Sequence, residues 1–150
     1  MMDGDRVIYL AQAPGRHAMR MFTEPGRRVD AHCTAVGKAM LAMLTEGRVR
    51  QILERTGLHS YTAATITDPD ALLEHLDAVR RRGYALDDGE QEVGVRCVAV
   101  ALPGGQAPAA ISVSAPTARL PPEIMRTVAR ALRRSAEGLA VQLAEASIRL

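Results

Sequence analysis

Tryptophan is absent from this sequence, phenylalanine occurs once and tyrosine three times. So few rings leave almost no platform on which nucleic-acid bases could stack. The arginine groups Arg27-Arg28, Arg80-Arg81-Arg82 and Arg133-Arg134 therefore read as solvated faces and helix C-terminal charge. An excess of one charge is lacking as well: 19 basic against 17 acidic residues leave +2, which gives no indication of nucleic-acid binding by this piece alone. Cysteine is nearly absent, and Cys33 and Cys97 match neither a paired redox motif nor a zinc-finger spacing, so two reduced thiols in a cytosolic protein are expected. No apolar run approaches the ~20 residues of a membrane helix, and the opening Met1-Met2-Asp3-Gly4-Asp5 has no signal-peptide pattern. A cytoplasmic protein with no membrane partner is the expectation.

What is present suffices for a packed core. At 150 residues, with 47% hydrophobic and 24% charged, the chain has the composition of one globular domain, and disorder is excluded. Val7 to Ala11 reads as a first strand and Ala18 to Phe22 as a second, with Met19 and Met21 on one face. Asp3-Gly4 is hairpin-turn chemistry, but the earlier strand such a hairpin needs is not visible, as if the chain were cut from something longer. A helix starts near Thr34 and carries Val36, Met40, Leu41 and Leu44. Thr45 caps a second, which Gly57 ends, and Asp68-Pro69 opens a third that Gly83 closes. Strands follow at Val93 to Leu102 and Ala109 to Ala115, and Leu120-Pro121-Pro122 opens a long helix with Ile124, Val128, Leu132, Leu139 and Leu143 along one stripe. There is no internal repeat. Paired antiparallel strands with helices clustered between and after them define an α+β fold, a central antiparallel sheet flanked by helices.

Several positions carry chemistry. Strand alternation places Ser112 and Ser114 on one face, and Cys97 and Ala99 on one face of the preceding strand, with Arg96 and Val98 opposite. The start of the helix at Thr34-Ala35-Val36-Gly37 offers unpaired amides to an anion, as every helix start does. Gly37 admits a close backbone or ligand. Asp87 and Asp88 read as turn formers that bond their own backbone, and Glu90 and Glu92 as solvated. A metal reading would gather His32, Cys33, Asp87 and Cys97, although adjacent His-Cys is poor chelating spacing. A cysteine hydrolase would need Cys97 activated by His32, His59 or His17.

Five segments together resemble the effector-binding domain of IclR-family transcriptional regulators. They are His32-Cys33-Thr34-Ala35-Val36-Gly37-Lys38-Ala39-Met40-Leu41-Ala42; Thr56-Gly57-Leu58-His59-Ser60-Tyr61-Thr62; Arg82-Gly83-Tyr84-Ala85-Leu86-Asp87-Asp88-Gly89-Glu90; Gly94-Val95-Arg96-Cys97-Val98-Ala99; and Ala110-Ile111-Ser112-Val113-Ser114. The spacing of Gly83, Asp87, Glu90 and Cys97 is the most specific part of the likeness. The resemblance implies a GAF-like domain over 1–150 that binds a small organic acid without a metal or cofactor and assembles as a homodimer or dimer of dimers. Operator DNA would then be reached only through the family's winged helix-turn-helix domain, which this sequence lacks.

The same resemblance implies a site made by the backbone amides of Ala35 and Val36 and the side chains of Asp87, Cys97, Ser112 and Ser114, covered by Met19, Met21 and Val29. Val36 stands where small residues are frequent in the family, and Pro103 at a position often aromatic. Competing expectations are a metal- or cysteine-dependent enzyme centred on Cys97, Asp87 and His32, and a degenerate domain kept only for oligomerisation.

Overall fold

Each of the first three helices begins where its capping chemistry directs, and the second and third end at glycine. A computed structural model of the protein describes residues 1–16, 23–104 and 107–148, without the side chains of residues 147 and 148. The Thr34 hydroxyl accepts from the Gly37 amide at 3.1 Å and starts α1, Ala35–Leu41. Thr45 accepts from the Arg48 amide to start α2, Glu46–Thr56, which stops at Gly57. The Asp68 carboxylate accepts from the Ala71 amide at 2.8 Å ahead of Pro69, so α3, Pro69–Arg82, opens with an anion against its dipole. Gly83 ends it in the left-handed conformation (φ 79°), which an L-residue adopts only with strain.

Among the described residues the strands form two three-stranded antiparallel sheets, in the mixed helix-and-strand fold that was expected. The first contains β1 (Met2–Asp3), β2 (Arg6–Ile8) and β3 (Arg28–Val29), the second β4 (Ala85–Asp88), β5 (Val95–Ala101) and β6 (Ala110–Pro116). The earlier strand missing from the Asp3-Gly4 hairpin is Met2–Asp3 itself, paired Met2 to Val7 and Asp3 to Arg6 around Gly4-Asp5. Two residues are too few to show a period, and this strand is held partly from outside: the Met2 amide donates to the Pro108 carbonyl at 2.9 Å, linking the two sheets. The strand expected at Ala18 to Phe22 lies outside the described residues.

The second sheet separates two cores. On one face, α1 packs across β4, β5 and β6, and Met40, Leu41, Ala85 and Ala99 join Val7, Val29, Leu72 and Leu76 in one apolar cluster. On the other, α4 (Met125–Ile148) packs on β5 and β6 against Val98, Val100 and Leu102. The buried stripe of α4 is Met125, Ala129, Leu132 and Ala136. Of the expected stripe only Leu132 is buried and Val128 half-buried, while Ile124, Leu139 and Leu143 are exposed. Alanines seat the helix close to the sheet, a contact that larger side chains at those positions would prevent.

Helix α1 is seated just as closely. A Cβ on Gly37 would lie 2.2 Å from the Ala31 carbonyl oxygen and 2.4 Å from its Cα, so backbone fills the space. Gly37→Ala should therefore lose about 1–3 kcal/mol or more of stability through overpacking. Gly47→Ala, in α2 with nothing within 4 Å, should gain about 0.4–1 kcal/mol. Urea unfolding midpoints of the two variants against the parent check both signs.

Candidate functional site

Strand register alone brings three of the expected residues into one row. Asp87 of β4 pairs with Cys97 of β5, and Cys97 with Ser114 of β6. The next row on the same face is Ala85, Ala99 and Ser112. Ala85 and Ala99 are fully buried beneath α1, while Ser112 and Ser114 are exposed at the β6 side. Ala35 and Val36 stand in the first turn of α1, where amide groups have no intrahelical acceptor. Val29 is buried in the same apolar cluster as Val36. Met19 and Met21 lie outside the described residues.

The charges around this row are buried. The Asp87 carboxyl is 2% exposed, and burial pushes its pKa up, opposed by the Glu90 amide that donates to it at 2.8 Å and by the charge of Lys38. Lys38 is fully enclosed in the middle of α1, and its ammonium meets the Glu90 carboxylate. Burial pulls Lys38 down and pushes Glu90 up, and their mutual attraction opposes both shifts. The other Glu90 oxygen, Oε2, is buried and has no partner among the described residues. Hydroxyls of Thr62 and Thr65 donate to the main-chain carbonyls of Gly89 and Glu90, each at 2.6 Å, so the acidic loop is clamped from outside.

Two groups of this neighbourhood escaped sequence reasoning. The Tyr9 phenol is pushed up to about 12 by burial, with Cys97, Asp87 and Cys33 near enough to add to the shift. Alternation from Val7 was the available signal, since it turns Tyr9 to the same side of the chain. Asp30 is the second: its carboxylate accepts from the Tyr61 hydroxyl at 2.7 Å and meets Arg6 and His59, each at 3.4 Å. Burial raises Asp30, but those hydrogen bonds and the Arg6 charge outweigh it and hold the carboxyl below its usual value. Its main-chain carbonyl accepts from Thr34 and Cys33 just ahead of α1.

The metal set is not assembled. Among the described residues no group of three or more His, Cys, Asp and Glu side chains is arranged to hold an ion. His32 is buried, with its Nε2 3.0 Å from the His59 carbonyl oxygen. Nor is either cysteine an activated nucleophile: burial pushes both thiols up to about 12, the Asp87 charge adding to it at Cys97 while the Ser114 hydroxyl opposes. Glu90, expected to be solvated, is 6% exposed, because it neutralises a lysine 52 residues away in sequence.

The polar row thus lies next to buried charge and under a short helix. The family model described as the C-terminal part of the bacterial transcriptional regulator IclR matches residues 1–141. The chain is 41% identical over 122 residues to the HTH-type transcriptional regulator BhcR of Paracoccus denitrificans, covering 80% of this chain and 44% of that protein. Among solved structures, Thermotoga maritima IclR superposes with a TM-score of 0.87 at 31% identity, over 95% of this chain and 58% of the other. The inducer-binding domain of the transcription factor PobR from Acinetobacter, a double mutant in complex with 3-hydroxybenzoic acid, gives 0.78 at 33% identity, over 93% and 83%. The chain belongs to the IclR family of bacterial transcriptional regulators. It is the effector-binding domain of such a regulator, with the GAF-like fold of its structural relatives.

Removing the buried cation should expose the cost of the buried anion. Lys38→Met should lose about 3–5 kcal/mol near neutral pH, because Glu90 is left charged and unpaired in the interior. An acid whose folded pKa lies above its unfolded value is most stabilising below the unfolded value and loses that contribution as pH rises. The variant should therefore recover toward the parent as pH falls to about 5, and a further Glu90→Gln change should restore most of the loss at neutral pH. Denaturant midpoints at the two pH values, with hydrogen exchange at α1, check it.

Proposed function

We propose that this domain binds a small organic acid in the space between α1 and the row Asp87, Cys97 and Ser114, and that occupancy sets the DNA affinity of the regulator to which it belongs. The single observation that carries the reading is that row: a carboxyl, a neutral thiol and a hydroxyl in register on one face, beside two small alanines. The effector carboxylate docks on the amides of Ala35 and Val36 and the hydroxyls of Ser112 and Ser114. Asp87 accepts a hydrogen bond from an effector hydroxyl. A second anion against it would push a carboxyl already raised by burial further toward protonation, so the hydroxyl end of the effector faces Asp87. Cys97 contributes shape as a neutral thiol, and Val29, with Met19 and Met21, covers the apolar part of the ligand.

The reading contains no catalytic step, in keeping with thiols pushed to about 12 and with relatives that are transcriptional regulators. PobR supports the ligand class, since a double mutant of its inducer-binding domain holds a hydroxylated carboxylic acid. The domain acts in the cytoplasm as a homodimer or dimer of dimers, and DNA contact is made by a winged helix-turn-helix domain elsewhere in the full regulator. The effector shifts the balance between protomer arrangements by its difference in affinity for them.

A thermal-shift screen of aliphatic hydroxy- and keto-acids and of aromatic acids, with and without chelator, tests the reading. An acid at about 100 times its dissociation constant adds about 2.7 kcal/mol, or roughly 5–11 °C for a reversible two-state domain of this length. Ser114→Ala should weaken that acid by about tenfold or more through loss of a charge-assisted bond, and change the melting point of the free protein by less than about 0.5 kcal/mol equivalent. No response to any acid would leave oligomerisation as the domain's role, and a fall on chelation would return the metal reading.

A further inference from the structure

The sheet face opposite α1 carries a concave site. A cavity of about 350 Å³ lies between the end of α3 and the first half of α4, lined by Arg82, Tyr84, Arg126, Ala129, Arg130 and Arg133. Four of those six residues are arginine and none is acidic. Elsewhere Arg6, Arg28, Arg48, Arg50, Arg55, Arg80 and Arg96 each meet a carboxylate. Among the described residues no carboxylate lies within ion-pair distance of the four that line the cavity.

Their arrangement works against the fold. Arg126, Arg130 and Arg133 follow one another at four- and three-residue spacing on α4, where like charges destabilise a helix. Arg126 also stands in the first turn, at the positive end of the helix dipole, with no acidic residue in that turn. Opposite them, Arg82 is half-buried, and its Nη2 is enclosed without a partner among the described residues. Burial pulls the Arg82 guanidinium below its usual pKa, and Tyr84 and the Glu90 charge oppose that only in part.

Two of the four groups are also held in place. The Arg82 Nε donates to the Tyr84 carbonyl at 2.7 Å, and the guanidinium carbon stands 5.0 Å from the Tyr84 ring. An Arg133 nitrogen donates to the Gly83 carbonyl at 3.3 Å. A Cβ on Gly83 would come within 2.3 Å of that guanidinium, so glycine at the end of α3 leaves the space that Arg133 occupies.

We propose that this cavity is a second binding site, specific for a small multivalent anion of the phosphorylated or polycarboxylate kind, and separate from the proposed effector site on the α1 face. Guanidinium groups pair bidentately with phosphate and carboxylate, and several of them around one half-open cleft, with Arg126, Arg130 and Arg133 exposed, match several charges on one molecule. The volume suits a metabolite-sized ligand, at the lower end of such sites. Concavity and a single ring argue against a nucleic-acid strand, which calls for an extended basic stripe.

The test is calorimetric titration of the chain with pyrophosphate and, separately, with citrate, at one chloride-balanced ionic strength. The parent is compared with the Arg126→Ala/Arg130→Ala double variant and with Arg134→Ala, which removes a neighbouring exposed charge outside the cavity. Alanine is the best helix former, so the double variant should fold, and Arg130→Gln is a milder second variant. The expected result is saturable binding of at least one anion, weakened at least about tenfold in the double variant, measurably weakened in Arg130→Gln and nearly unchanged in Arg134→Ala. Pyrophosphate alone would assign the phosphorylated class, citrate alone the polycarboxylates. Absence of saturable binding, equal loss in Arg134→Ala, or no loss in the double variant overturns the proposal. So does binding of duplex DNA with neither anion bound. The Ser114→Ala variant should keep the anion and the arginine variants should keep the organic-acid response, so the two sites fail independently.

Discussion

The enclosed contact between Lys38 and Glu90 is the constraint on which the rest of the structure depends. Burying two ions costs several kcal/mol each even after relaxation, and the attraction offsets it only with good geometry and supporting hydrogen bonds. Here the support is layered. Lys38 lies at the centre of a helix whose every residue is buried, and Glu90 sits in a loop whose carbonyls are held by Thr62 and Thr65. The pair thus joins α1 to the turn between β4 and β5, the two segments that bound the polar row. Asp87 is drawn into the same arrangement because the Glu90 amide donates to it.

A second polar hub fixes the other end of α1. The Asp30 carboxylate gathers Arg6 from β2 with His59 and Tyr61 from the loop after α2, and its own carbonyl takes the Thr34 hydroxyl that begins the helix. One short helix is thereby located by charge at its centre, by hydrogen bonds at its start and by backbone contact at Gly37. A binding site formed under such a helix is set before any ligand arrives, and less ordering is then left for binding to supply.

Much of this was readable residue by residue. Thr34, Thr45, Asp68, Gly57 and Gly83 marked helix ends because capping is local chemistry, and the alternation Arg96, Cys97, Val98, Ala99 told which side chains shared a face. The strands Met2–Asp3 and Arg28–Val29 were not readable, since two residues have no period and are defined by what they pair with. The face of α4 was misplaced for a related reason: periodicity picks the larger side chains, whereas the sheet accepted Ala129 and Ala136 at close approach. At the candidate site, alternation placed Ser112 with Ser114 and Cys97 with Ala99, whereas Asp87, a turn former by residue pattern, was named through the family resemblance. The partner of Lys38 was not readable, although a lone lysine in an apolar helix is a hint that an acid must be found. His32 and Cys33 suggested a metal by residue type, but the structure uses His32 at a backbone carbonyl and buries Cys33.

Strand β5 serves both sides of its sheet at once. Cys97 and Ala99 face α1, while Val98 and Val100 face α4, and the assignment rests on parity alone. Within Val95–Ala101, point substitutions change one face at a time. The loss or gain of a single residue would instead turn valines toward the polar row and a thiol toward the alanine-lined helix. Divergence among relatives in this strand should therefore proceed by replacement, with length changes pushed out to its flanking turns at Gly94 and Pro103-Gly104.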